Sequence, residues 1–171
     1  SRAHSGPGYM IPVSGGPYRW TTRDRDYLTC TTSMSNPFMG EGFILHTADG
    51  WKYTFDYGVT RNAGRLGQGT NQIHRVRVLL LATRVEDPFG NYVAYTYNLS
   101  GYPTLIQGFL KNGGGFSLER TISIDYTSGP GCIGTRACSA SAHGRTWNFS
   151  YDSAGRLQRV YQPQATDISR P

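Results

Sequence analysis

Three stretches of the chain alternate between polar and aromatic residues directly after a glycine-bearing turn. Asp49-Gly50-Trp51-Lys52-Tyr53-Thr54-Phe55-Asp56-Tyr57 is the first, Pro88-Phe89-Gly90-Asn91-Tyr92-Val93-Ala94-Tyr95-Thr96-Tyr97-Asn98 the second, and His143-Gly144-Arg145-Thr146-Trp147-Asn148-Phe149-Ser150-Tyr151-Asp152 the third. A period of two is that of a β-strand, whose successive side chains point to opposite faces. It places Trp51, Tyr53, Phe55 and Tyr57 on one face and Lys52, Thr54 and Asp56 on the other. The same parity groups Tyr95 with Tyr97, and Trp147 with Phe149 and Tyr151. The expectation is an antiparallel sheet with an aromatic, covered face and a polar, wet one.

The stretches are in register with one another. Gly50, Gly90 and Gly144 each precede a closing tyrosine (Tyr57, Tyr97, Tyr151) by seven residues, and each is expected to supply the positive φ of a tight hairpin turn. Glu119 to Tyr126 keeps the spacing with Glu119 in the glycine position. Return strands are predicted at Val76 to Val85, Ser100 to Ile106 and Ala154 to Val160, with Gly101 and Gly155 each four residues beyond a closing tyrosine. Such self-similarity reads as a repeat array. The closing tyrosines are 40, 29 and 25 residues apart; Gly58 to Ile73, rich in Gly, Asn and Arg, and Asn112 to Gly115 are expected to be loops. The predicted organisation is an irregular Gly- and Pro-rich leader with short strands at 1–42, about four degenerate repeats at 43–163, and a tail or linker at 164–171.

Tyr151-Asp152-Ser153-Ala154-Gly155-Arg156-Leu157, preceded by His143-Gly144-Arg145-Thr146, resembles the YD repeat of RHS-repeat proteins. Thr83 to Tyr97 resembles the segment T-R-I-x-D-x-x-G-N-x-x-x-Y-x-Y on the N-terminal side of bacterial RHS cores. The likeness covers roughly Phe43 to Pro163. Departures are Asn98 for the usual Asp, Tyr102-Pro103 for Arg-Leu, and Glu119 for the turn glycine. The resemblance implies an all-β fold of antiparallel hairpin repeats forming a curved sheet strip, part of a secreted or surface-delivered bacterial shell that encloses a C-terminal toxin or effector. The implied partner is the rest of a longer chain, with further YD repeats and a toxin domain. The chain starts at Ser1, has no apolar leader, and stops at Pro171; it is expected to be a piece of a longer chain or a processed product.

Composition agrees with an all-β chain. There are 22 Gly and 9 Pro in 171 residues, and the aromatic share of 13% is too high for a disordered chain. The net charge is +6, from 17 basic and 11 acidic residues, and only Lys52 and Lys111 of the basic ones are lysine. The densest basic stretch, Arg19 to Arg25, contains Asp24, so no linear cluster points to a specific nucleic-acid partner. No apolar run is long enough for a spanning helix. Cys132 and Cys138 flank a short loop and are candidates for a disulfide. No zinc pattern, nucleophile elbow or phosphate loop occurs, so no catalytic residue, metal or cofactor is assigned. Asp56 and Asp125 hold equivalent repeat positions and are the one conceivable glycosidase pair. The aromatic row Trp51, Tyr53, Tyr95, Tyr97, Trp147 and Tyr151 is expected to pack strand against strand. Its alternative role is stacking on sugar rings, in a carbohydrate-binding or adhesive module. A fibre subunit that adds copies of itself through open edge strands is the other alternative.

Overall fold

A computed structural model of the chain describes residues 10–67, 72–127, 132 and 135–163. The protein is all-β, and no helix occurs among those residues. In chain order the strands are β1 (Ile11–Pro12), β2 (Trp20–Thr21), β3 (Tyr27–Thr31), β4 (Gly42–His46), β5 (Lys52–Leu66) and β6 (Ile73–Glu86). They continue with β7 (Tyr92–Tyr97), β8 (Pro103–Asn112), β9 (Gly115–Asp125), β10 (Ser139–Ala142), β11 (Arg145–Tyr151) and β12 (Leu157–Tyr161). The chain divides into two compact units, one up to Tyr92 and one from Val93. Within each, strand order follows chain order and the pairing is antiparallel. Seven of the eleven connections have only two to five residues and cannot reach any strand but the next, which favours a meander.

In the first unit β3 pairs with β4 along its whole length, from Tyr27↔His46 to Thr31↔Gly42. The sheet therefore already runs through the segment that reads as a leader. β4 pairs with Lys52 to Phe55 of β5 and no further. Beyond it, the β3–β4 connection folds back onto β5: Ser35 N–H donates to Asp56 O at 2.8 Å, and the Phe38 ring occupies the space over Gly58, where a Cβ would lie 2.2 Å from Phe38 Cγ. Val59, the next residue, is the one buried large aliphatic side chain of this unit among the described residues.

β5 and β6 differ from expectation. Gly58 to Leu66 is strand, not loop: β5 runs on to Leu66 and β6 starts at Ile73, paired through Val59↔Leu79, Thr60↔Val78, Arg61↔Arg77 and Asn62↔Val76. Ladder bonds are made by the backbone, so a strand can form through polar residues that give no alternating signal. A bulge at Ala63–Gly64, with Gly64 at φ 81°, absorbs the glycine that looked like a loop marker.

In the second unit β8 and β9 form a hairpin closed at Asn112↔Gly115, with Gly113 at φ 53°. This corrects the register of the third repeat. Glu119 lies inside β9, not in a turn, and the turn is at Gly113–Gly114. β10 pairs with both β9 and β11, and β11 pairs with β12.

Candidate functional site

The structural unit that recurs is a five-residue turn. In Thr47 to Trp51, Gly50 N–H donates to Thr47 O at 3.0 Å and Thr47 N–H to Trp51 O at 2.9 Å. Asp87 to Asn91 repeats these bonds at 3.0 and 2.8 Å, Asn98 to Tyr102 at 2.8 and 2.9 Å, and Asp152 to Arg156 at 2.8 and 3.0 Å. This is a type I turn whose fourth residue is left-handed, the three-residue hairpin loop with a glycine bulge. Gly50, Gly90, Gly101 and Gly155 have φ of 89°, 88°, 76° and 78°. Sequence spacing had grouped Gly144 with Gly50 and Gly90, and set Gly101 and Gly155 apart. The structure regroups them. His143 (φ 51°) and Gly144 (φ 71°) instead form the two-residue turn closed by Ala142↔Arg145, in which both central residues are left-handed.

The first side chain of each five-residue turn closes it a second time. Thr47 Oγ1 accepts from Trp51 N–H at 3.0 Å, Asp87 Oδ1 from Asn91 N–H at 2.9 Å, Asn98 Oδ1 from Tyr102 N–H at 3.0 Å and Asp152 Oδ1 from Arg156 N–H at 2.8 Å. An oxygen one or two bonds from Cβ is what this position demands, and Thr, Asp and Asn all carry one. Desolvation would raise the Asp87 carboxyl, but the Asn91 side chain and the backbone N–H groups of Asn91, Phe89 and Gly90 outweigh it and hold it below the usual carboxylate range. Asp152 is held low chiefly by the Arg156 N–H, with the Arg156 side chain at 2.9 Å adding to it.

A fifth turn of this kind escapes the glycine pattern. Thr22 N–H donates to Asp26 O at 2.9 Å, Arg25 N–H to Thr22 O at 3.2 Å, and Asp26 N–H to Thr22 Oγ1 at 3.1 Å. Arg25 takes the glycine position at φ 66°. Thr22, like Thr47, was the signal present in the sequence. In the first unit the turns touch in series: Asp26 Oδ1 accepts from Ala48 N–H at 3.3 Å, and a Cβ on Gly50 would lie 3.2 Å from Pro88 Cγ.

The six aromatic candidates fall in both units, Trp51 and Tyr53 in the first and Tyr95, Tyr97, Trp147 and Tyr151 in the second. In the first unit Trp51, Tyr53 and Phe55 form a row with ring centroids 6.5 and 6.3 Å apart, and Trp51 is exposed at its end. In the second unit Tyr95 and Tyr97 stack at 6.5 Å. These separations are twice the rise per residue of a strand, so the spacing is that of the backbone. Trp147 pairs across to Ala140 and is half-buried. Tyr151 belongs to a different cluster: its hydroxyl donates to Ala137 O at 2.8 Å and the Arg136 guanidinium lies 5.5 Å from its ring centre.

That cluster is anchored by the Cys132–Cys138 disulfide, Cα atoms 5.5 Å apart. Cys138 is fully buried and bridges β9 and β11, its N–H donating to Asp125 O at 2.6 Å and its carbonyl accepting from Phe149 N–H at 2.8 Å. Arg136 occupies the space above Gly155, where a Cβ would lie 1.7 Å from Nη2. Cys30 stays a free thiol, pushed up chiefly by desolvation and by the hydrogen bond to Glu41.

Asp56 and Asp125 are each taken locally. Asp56 accepts a short hydrogen bond from the Thr83 hydroxyl, and Asp125 accepts from Thr127 N–H at 3.0 Å and from its hydroxyl at 2.6 Å. Among the described residues no three His, Cys, Asp or Glu side chains group as metal ligands, and no helix is long and apolar enough to cross a membrane. No family model, curated protein or solved structure matches the chain.

Proposed function

We propose that the chain is a structural segment of a secreted RHS/YD-repeat shell, which helps to encapsulate and deliver a C-terminal toxin or effector. The observation that carries this reading is the recurrence of one hydrogen-bonded turn at 22–26, 47–51, 87–91, 98–102 and 152–156. One turn geometry recurring between successive antiparallel strands supports reading the chain as a repeat that propagates a sheet. Function then lies in a continuous hydrogen-bonded wall instead of a reactive centre. β12 supports the same reading: all five of its residues are exposed, with Leu157 at 56%, Val160 at 49% and Tyr161 at 49%. An apolar edge strand invites a further strand, which the next repeat of a longer chain supplies.

The test is to express the whole reading frame that contains this chain and image its product by electron cryomicroscopy. A hollow shell of meandering strands around a C-terminal domain is the expected result. Filaments built through strand edges would replace the shell reading with that of a fibre subunit. A glycan-binding module rests on Trp51, the one exposed ring of the six aromatic candidates. Binding on a glycan array that is lost in Trp51→Ala would favour it over both.

A further inference from the structure

Antiparallel pairing gathers arginines that are scattered in sequence. From Tyr57 to Val85 the chain carries Arg61, Arg65, Arg75, Arg77 and Arg84 and no acidic residue. In the β5–β6 hairpin Arg61 stands directly opposite Arg77, and Arg65 opposite His74. The bulge at Ala63–Gly64 lets Arg75 Nη2 donate to Ala63 O at 3.3 Å. Asn62, Gly64, Arg65, His74 and Arg75 line a cleft of about 270 Å³ beside it. The linear reading found no basic cluster because these residues lie on two strands.

The same half of the hairpin is apolar where apolar side chains gain nothing from water. Val76 is 65% exposed and Val78 52%, and the tip presents Leu66 and Ile73. Directly paired residues share a face and every second residue of β6 does too, so Arg61, Arg75 and Arg77 are on one side with Leu66 and Ile73, and Val76 and Val78 are on the other with Arg65 and His74. Like charges directly opposite destabilise a sheet. Contiguous exposed aliphatics mark a surface that meets a partner.

We infer that the distal half of this hairpin docks on an anionic lipid surface. Val76 and Val78 enter the boundary between headgroups and acyl chains. Arg65 and His74 on that same face meet the lipid phosphates, and the arginines on the other face of a sheet one layer thick reach toward them with their long stems. The cleft at Arg65, His74 and Arg75 receives one headgroup. A nucleic acid would engage the arginines alone and leave the valines in water. The inference concerns a part of the chain that the shell reading does not use, and it stands or falls separately.

The test is co-sedimentation of the 171-residue chain with phosphatidylcholine vesicles, with and without phosphatidylglycerol. Binding is expected only to the anionic vesicles, and to weaken with salt. Arg75→Ala combined with Arg77→Ala is expected to weaken it about thirtyfold. Val76→Ser combined with Val78→Ser is expected to weaken it about tenfold. All four side chains are exposed, so these variants keep the backbone ladder, and each is compared after its far-ultraviolet circular dichroism matches the parent. The inference is overturned by no binding to anionic vesicles, or by valine variants that bind as tightly as the parent. A DNA duplex that displaces the protein from the vesicles at equal affinity overturns it as well.

Discussion

The side-chain amide of Asn36 pairs with the backbone of Gly58 as a peptide group of a neighbouring strand would. Asn36 Nδ2 donates to Gly58 O at 2.8 Å, and Gly58 N–H donates to Asn36 Oδ1 at 3.1 Å. The β4–β5 ladder ends at Phe43↔Phe55, three residues before Gly58, so a side chain completes this edge of β5. Gly58 is buried, and its two polar groups would otherwise have no water to turn to. Asn36→Ala is expected to cost about 1–3 kcal/mol, and Asn36→Asp, which cannot donate to Gly58 O, is expected to be at least as damaging. Urea unfolding followed by tryptophan fluorescence measures both; an unchanged midpoint would remove Asn36 from the ladder.

Arg25 is the one non-glycine residue in the left-handed position of the five-residue turns. An L-residue there is strained by about 1–2 kcal/mol, which glycine avoids at some cost in chain entropy. Arg25→Gly is therefore expected to stabilise the chain by about 1 kcal/mol and raise Tm by about 2–4 °C. A lower Tm would mean that the arginine side chain contributes more than its backbone strain removes.

Acid should weaken the turns headed by aspartate and spare those headed by asparagine or threonine. Asp87 and Asp152 have folded-state pKa values below their ordinary 3.8. Their contribution is complete above that value and is lost as pH falls through the lower folded values, because the unfolded chain then binds the proton more readily. Asn98 shows that an amide heads the same turn with the same bonds. Asp87→Asn with Asp152→Asn is thus expected to keep the fold and lose less stability than the parent between neutral pH and about pH 3. Equal losses would place the acid sensitivity elsewhere.

Gly155 and Gly144 are both left-handed, but only Gly155 lies under a side chain. Alanine at Gly144 meets nothing within 4 Å and carries the backbone strain alone, whereas at Gly155 it also displaces Arg136. Gly155→Ala is expected to destabilise by more than the roughly 1–2 kcal/mol expected for Gly144→Ala. In an Arg136→Ala background the two costs should converge. A double-mutant cycle on thermal unfolding gives the coupling directly, and a value of zero would show that Arg136 moves aside freely.

Much of the strand pattern was legible in the chain itself. Alternation over Trp51 to Tyr57, Tyr92 to Tyr97 and Trp147 to Tyr151 marks β5, β7 and β11, because a half-covered strand must alternate. Where covering was thin the signal failed: β5 beyond Val59 is mostly exposed and polar, so little constrained its side chains and it read as a loop up to Ile73 at the start of β6. Glycine spacing located four of the five-residue turns but sorted them wrongly, since the same residue serves two turn geometries that only the hydrogen bonds separate. Arg25 was hidden because backbone strain can be carried by a residue that does not advertise it.

What the sequence determined by itself is local: which residues alternate, which oxygen-bearing side chains head turns, and that short connections favour a meander of antiparallel strands. Tertiary structure decided everything that joins residues distant in the chain. It set Asn36 against Gly58, Arg136 over Gly155, and Arg61 opposite Arg77. Alternation and turn chemistry act over a few residues, but register depends on where bulges fall and on which segment covers an edge. Those are properties of the paired strands together, and no single stretch of sequence contains them.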